Sequence, residues 1–208
     1  MDFVKKQAAL AWKFYREQLL KLHVGCMLAF LAVSALSAVV LRLFAEQAQA
    51  IVEGFMAEVQ QSGLVDESGS ISLMALFGNN LQATLTATVM GLMPFVYLPV
   101  FSLAVNGAVI GAVLALSEMM GMELWQMILL GLLPHGIFEI PAIMLGVAMG
   151  LYLCRQMNGT LRKRPGTPKI EAVLPHLCRV ALFGVVPMLA AAALIETLVT
   201  PLLLGLAL

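Results

Sequence analysis

Residues 81–118 carry no charged side chain until Glu118 closes the stretch. A single straight helix of that length would run about 57 Å, whereas the hydrocarbon core of a bilayer is about 30 Å thick. The chain must therefore cross, turn back once and cross again. Pro94 and Pro99 mark the turn, which predicts one span over 81–97 and another over 101–118, joined by a hairpin with almost no polar loop. Composition agrees: 61% of the residues are hydrophobic and 12% charged, where soluble domains carry about 25% charged residues. The expected fold is an all-α polytopic membrane bundle of five spans.

The remaining spans follow from the same measure. Residues 24–44 form a first span, read as retained rather than as a cleaved leader, with Arg42 near its end able to extend its head group to the interface. Before it, residues 3–22 interleave Phe3, Val4, Leu10, Phe14, Leu19 and Leu20 with Lys5, Lys6, Lys13, Arg16 and Lys21. This pattern predicts a basic amphipathic helix, resting on anionic headgroups and occupying 1–23 as its own unit. The transmembrane domain then covers 24–208. Residues 45–79 hold five acidic residues and no Lys or Arg. Val52, Phe55, Met56 and Val59 have helical spacing, and Gly63 to Ser70 reads as a turn. Asn79-Asn80 is expected to cap the helix that follows.

Residues 124–154 are again too long for one perpendicular crossing and contain Pro134 and Pro141. They predict a short helix over 124–133, a break at Pro134-His135-Gly136 and a full helix over 137–154. A basic loop, 155–178, comes next. The last span starts near Arg179, and Pro201 interrupts it, so a broken or re-entrant end is expected there as well.

Eleven of the twelve Lys and Arg residues lie in 5–21 and 155–179, while the loops facing the other way hold seven acidic residues and neither Lys nor Arg. The positive-inside rule then places the N-terminus in the cytoplasm and the C-terminus outside. The three cysteines, Cys26, Cys154 and Cys178, form no C-x-x-C pair, and the topology puts each on the reducing side. They read as small apolar residues.

Few polar residues interrupt the apolar runs: Asn106, His135, Glu139 and Glu196, with Asn79 and Asn80 at a span entrance. An ionisable group in a bilayer usually faces the bundle interior or a wet cavity. The topology brings Asn79, Asn80, His135, Glu139 and Glu196 toward the outer half of the membrane, and with Asn106 they make up the expected intramembrane polar cluster. His135 and Glu139 are one helical turn apart, and Glu196 can join them as a carboxylate pair sharing a proton. A proton or substrate site and a buried structural pair that locks helices together are both open. Gly107 with Gly111, and Gly146 with Gly150, are G-x-x-x-G pairs that permit close helix approach. They are available for packing within the chain or for a homodimer.

Enzymatic signatures are incomplete. His135 has no partner His at four-residue spacing, and there is no phosphate-binding loop, dinucleotide fingerprint or G-x-S-x-G elbow. No enzyme activity, cofactor, metal or nucleic-acid partner is expected.

The run Phe77-Gly78-Asn79-Asn80, then Asn106-Gly107 with Gly111, then Pro134-His135-Gly136-Ile137-Phe138-Glu139-Ile140-Pro141-Ala142, then Glu196-Thr197 with Thr200-Pro201, resembles the stage II sporulation protein M family of integral membrane proteins. The resemblance covers 77–201, and the Pro-His-Gly element is its specific part. It implies a multi-span inner (cytoplasmic) membrane protein acting as a scaffold for peptidoglycan-degrading partners, and it supplies no catalytic residue. The expected function is a membrane scaffold that anchors or recruits envelope-remodelling partners. The alternative is a small-solute or ion transporter or channel working through His135, Glu139 and Glu196.

Overall fold

The computed structural model describes residues 2–61, 72–200 and 202. Every regular element among them is helical. In chain order these are α1 (Asp2–Phe14), a π segment (Tyr15–Leu19), α2 (Leu20–Leu41), α3 (Ala45–Gln61), α4 (Leu73–Val89) with a 3₁₀ turn (Met90–Leu92), α5 (Pro99–Met119), α6 (Leu124–Gln126), a second π segment (Met127–Leu132), α7 (Leu133–Leu161), α8 (Ile170–Val180), a third π segment (Ala181–Val185) and α9 (Val186–Leu198).

Four continuous helical stretches are long and apolar enough to cross a membrane: Asp2–Leu41, Pro99–Met119, Leu124–Leu161 and Ile170–Leu198. α4 with its 3₁₀ turn is shorter. Its 17 helical residues and three-residue turn still reach about 31 Å, the length expected of the fifth span. The hairpin also falls where the prolines predict it. The chain turns through 93–98, and Pro99 opens α5 at a position where its missing N–H costs nothing.

The core centres on α7, whose residues from Ala142 to Gly150 are all buried. α4 and α9 flank it, and the first long helix crosses it. Small residues set the closest approaches. A methyl group on Gly146 would strike the Thr84 side chain and backbone, and one on Gly150 would strike the backbone of Ala87 and the ring of Pro99. On α5, Gly107 faces Val33 and Phe30, and Gly111 faces Ser34, Ser37 and Ala38. Both G-x-x-x-G pairs are therefore occupied inside the subunit. In lipid, helix association depends on this packing, because tails are as apolar as leucine.

Several boundaries differ from the sequence expectations. No break separates the N-terminal amphipathic helix from the first span: the π segment Tyr15–Leu19 carries the helix straight through. α1 also has a protein partner, α8, rather than headgroups alone. Gln7 Oε1 accepts from Arg179 Nε at 2.6 Å, Phe14 stacks on His176, and Ala11, Val173 and Leu177 are buried in the shared core. The last helix accordingly starts at Ile170, not near Arg179, and α7 runs to Leu161, which shortens the basic loop to 162–169. Asn79 and Asn80 are not caps. Ser72 caps α4, its Oγ accepting from the Ala75 amide, and both asparagines lie inside the helix because the apolar run is helical from Leu73 onward.

The interruption expected at Pro134 takes the form of the π segment Met127–Leu132, so the chain stays helical through Pro134, His135 and Gly136. A π turn spreads each hydrogen bond over five residues. It absorbs one extra residue, and Pro134, which has no N–H to donate, follows it directly inside the continuous helix 124–161. Pro141 lies within α7. Pro201 and the turn expected over 63–70 lie outside the described residues.

Candidate functional site: a polar cluster between α4, α7 and α9

Three elements bring the predicted residues together. His135 and Glu139 project from successive turns of α7. Glu196 comes from the end of α9, which packs against α7. His135 Nδ1 lies 2.6 Å from Glu196 Oε2. The approach is off the axis a hydrogen bond requires, so the contact is polar but unaligned, and it is an ion pair when the imidazole is protonated. Asn80 of α4 turns its amide toward Glu139, and Thr200 turns its hydroxyl toward Glu196. Asn80 Nδ2 and Thr200 Oγ1 are buried, and neither makes an aligned hydrogen bond. Six buried side-chain polar atoms lack a partner among the described residues, and four of them belong to this cluster.

A cleft of about 230 Å³ opens beside it, lined by Ile110, Val113 and Leu114 of α5, Met127, Gly131 and Leu132 of the second π segment, and His135, Glu196 and Thr200. The walls are apolar and the polar groups are gathered at one end. Among the described residues, no set of His, Cys, Asp and Glu is spaced to hold a metal ion.

Two of the expected members are elsewhere. Asn106 bonds within its own helix, Nδ2 donating to the Ser102 carbonyl at 2.8 Å. Asn79 is half-buried on α4 but occupies the turn position next to Asn80, on another face. Thr200, which the sequence places beside Glu196 only in the family resemblance, joins the cluster as well. Its signal was the four-residue spacing from Glu196, which puts both on one helical face.

A second polar site has a structural character. Asn158, buried near the end of α7, holds the hairpin. Its Oδ1 accepts from the Phe95 amide at 2.8 Å, and its Nδ2 donates to Tyr97 Oη at 3.3 Å. The Cys154 thiol donates to the Met93 carbonyl at 3.4 Å. Phe95 and Tyr97 have positive φ, 68° and 52°, a conformation that L residues with bulky side chains avoid. The Arg162 guanidinium stands 5.2 Å from the centre of the Phe95 ring. Nothing in the sequence marked Asn158, since a lone Asn beside a basic stretch reads as a helix end.

Arg42 does not stand free at an interface. It pairs with Glu118, tying the end of α2 to the end of α5. All three cysteines are free thiols; Cys26 and Cys154 are buried and Cys178 is exposed.

An all-α bundle of apolar helices, packed through small residues around an off-centre polar cluster, defines an integral membrane protein. The family model for stage II sporulation protein M matches residues 19–201, and the chain belongs to that family. No curated protein and no solved structure gives a match.

Proposed function

We propose that the protein is a non-enzymatic scaffold of the cytoplasmic membrane, oriented with its N-terminus inside, that recruits envelope-remodelling partners through its acidic loop. α3 is the observation that carries this reading. It projects Glu46, Glu53 and Glu58 with no basic residue among them, and Phe55 and Met56 stand exposed on it. It is attached to the bundle through fully buried Ala48 and contacts with α5 and α2. A docked helix with exposed apolar and acidic side chains suits a protein partner better than it suits bulk water. The family's resemblance to scaffolds for peptidoglycan hydrolases supports the same choice.

The test is in-cell crosslinking and pull-down of the full chain against a variant carrying Phe55→Ser, Met56→Ser, Glu53→Lys and Glu58→Lys. Loss of partner recovery at unchanged membrane abundance is expected. Equal recovery removes α3 as the docking surface.

A second reading has its own support in the cleft beside His135 and Glu196, since transporters place polar groups at helix irregularities near their substrate sites. Solute or proton flux in liposomes, compared with Glu139→Gln and Glu196→Gln, decides it. Absence of flux across a solute screen counts against transport.

A further inference from the structure

We propose that the cleft between α5, the second π segment and α9 is a hydrated proton-binding site, in which His135, Glu139 and Glu196 hold one exchangeable proton between them. This inference goes beyond the scaffold reading and needs no net transport.

Charge counting leads to it. The cluster contains two carboxyls and one imidazole. With all three ionised it carries one uncompensated negative charge. The groups facing it from the neighbouring elements supply no cation. α4 contributes the neutral Asn80, the end of the last helix contributes the Thr200 hydroxyl, and α5 and the π segment contribute apolar wall residues. The nearest cation along α5's partner helix, Arg42, is already paired with Glu118. An unpaired charge in a low-dielectric interior is expensive to keep. One proton taken up by Glu139 or Glu196 removes it, and the bond formed is a carboxyl O–H. That proton is delivered from bulk solvent through water in the cleft and returns by the same route.

Geometry supplies the second, independent observation. Thr200 is 4% exposed and lines the cleft, and its hydroxyl, turned toward Glu196, makes no aligned hydrogen bond; Asn80, 8% exposed, stands in the same relation to Glu139 behind the cleft lining. His135 Nδ1 and Glu196 Oε2 already meet at 2.6 Å, which leaves the Thr200 hydroxyl as the buried group that water in the cleft reaches. Buried polar atoms left in this state are ordinarily satisfied by water, which needs two to four polar partners and about 30 Å³ each. The 230 Å³ cleft has room for several waters. The π segment contributes to this opening: its widened turn places Gly131, with no side chain, in the wall. Proton occupancy would bear on three helices at once, because Glu139 faces α4 while His135 and Glu196 join α7 to α9.

The test is infrared difference spectroscopy on the full chain in lipid nanodiscs, acid against neutral, over about pH 5 to 8. Wild type is expected to give a protonated-carboxyl stretch that shifts in D₂O within the mixing time. The stretch should be lost in Glu139→Gln, in Glu196→Gln, or in both. Its midpoint should move by about one pH unit in His135→Gln and in the near-isosteric Thr200→Val. If the glutamine variants do not fold, these last two decide. A missing band, a band retained in both glutamine variants, a midpoint unmoved by both other substitutions, or a band insensitive to D₂O would each overturn the proposal.

Discussion

At the scale of single residues, the same amide chemistry has two different outcomes. Asn158 is fully used: it accepts from one backbone amide of the hairpin and donates to a tyrosine hydroxyl. Asn158→Ala would leave the Phe95 amide without its acceptor, and a cost of about 1–3 kcal/mol is expected. The measurement is the rate of limited trypsin cleavage after Arg162 and Lys163 in detergent-solubilised protein. Faster cleavage is expected for Asn158→Ala than for Asn158→Asp, which keeps the acceptor oxygen; equal rates would show that the hairpin is held otherwise. Asn80, by contrast, turns its amide toward Glu139 without an aligned hydrogen bond. Which side chains would meet was partly legible in the sequence. His135, Glu139 and Glu196 stood out because an ionisable group in an apolar run has few tolerable surroundings. Asn106 looked equivalent, but an amide can close a bond onto its own helix, as Asn106 does with Ser102, and periodicity does not reveal that choice. Asn158 was hidden because its partners are backbone atoms of a distant turn.

At the scale of elements, length was legible and the means of absorbing it was not. The apolar runs are too long for straight crossings, so some device had to accommodate them, and prolines suggested breaks. Pro94 and Pro99 do mark a turn, but at Pro134 the helix runs on through a π segment, one of three, of five, six and five residues. A π segment holds a surplus residue without turning the helix on either side out of register. Deleting Gly131 should therefore be tolerated far better than deleting Ala148 from the α-helical core of α7, since the latter rotates everything beyond it by about 100°. Thermal melts of the two deletion proteins in matched detergent check this, and equal losses would count against the surplus-residue account. Glycines offer a second contrast. Gly150→Val pushes a branched side chain into the backbone of Ala87, with an expected loss of about 3 kcal/mol or more. Gly78 meets nothing in its surroundings, and Gly78→Ala should gain up to about 1 kcal/mol from helix propensity. Denaturation midpoints in mixed micelles separate them.

At the scale of the whole molecule, the all-α bundle followed directly from the composition and the run lengths. The connection between its two ends did not, because amphipathic patterns identify a face without naming what covers it. Orientation rests on charge asymmetry, and it makes a prediction of its own. In intact cells or right-side-out vesicles, a membrane-impermeant maleimide should label a Glu53→Cys variant and spare native Cys178, which is exposed on α8 beside the basic loop. Reversed labelling would invert the topology.

The pairing of α1 with α8 also orders events in time. Gln7 and Arg179 stand 172 positions apart in the chain. During synthesis the N-terminal part emerges first, so α1 exists through most of translation without the helix that covers Ala11 and Phe14. Its basic, half-apolar surface is then open to lipid headgroups and to cytosolic chaperones. Docking of α8 ends that exposure, and a chain truncated before residue 170 would carry the uncovered face as a mark of incompleteness.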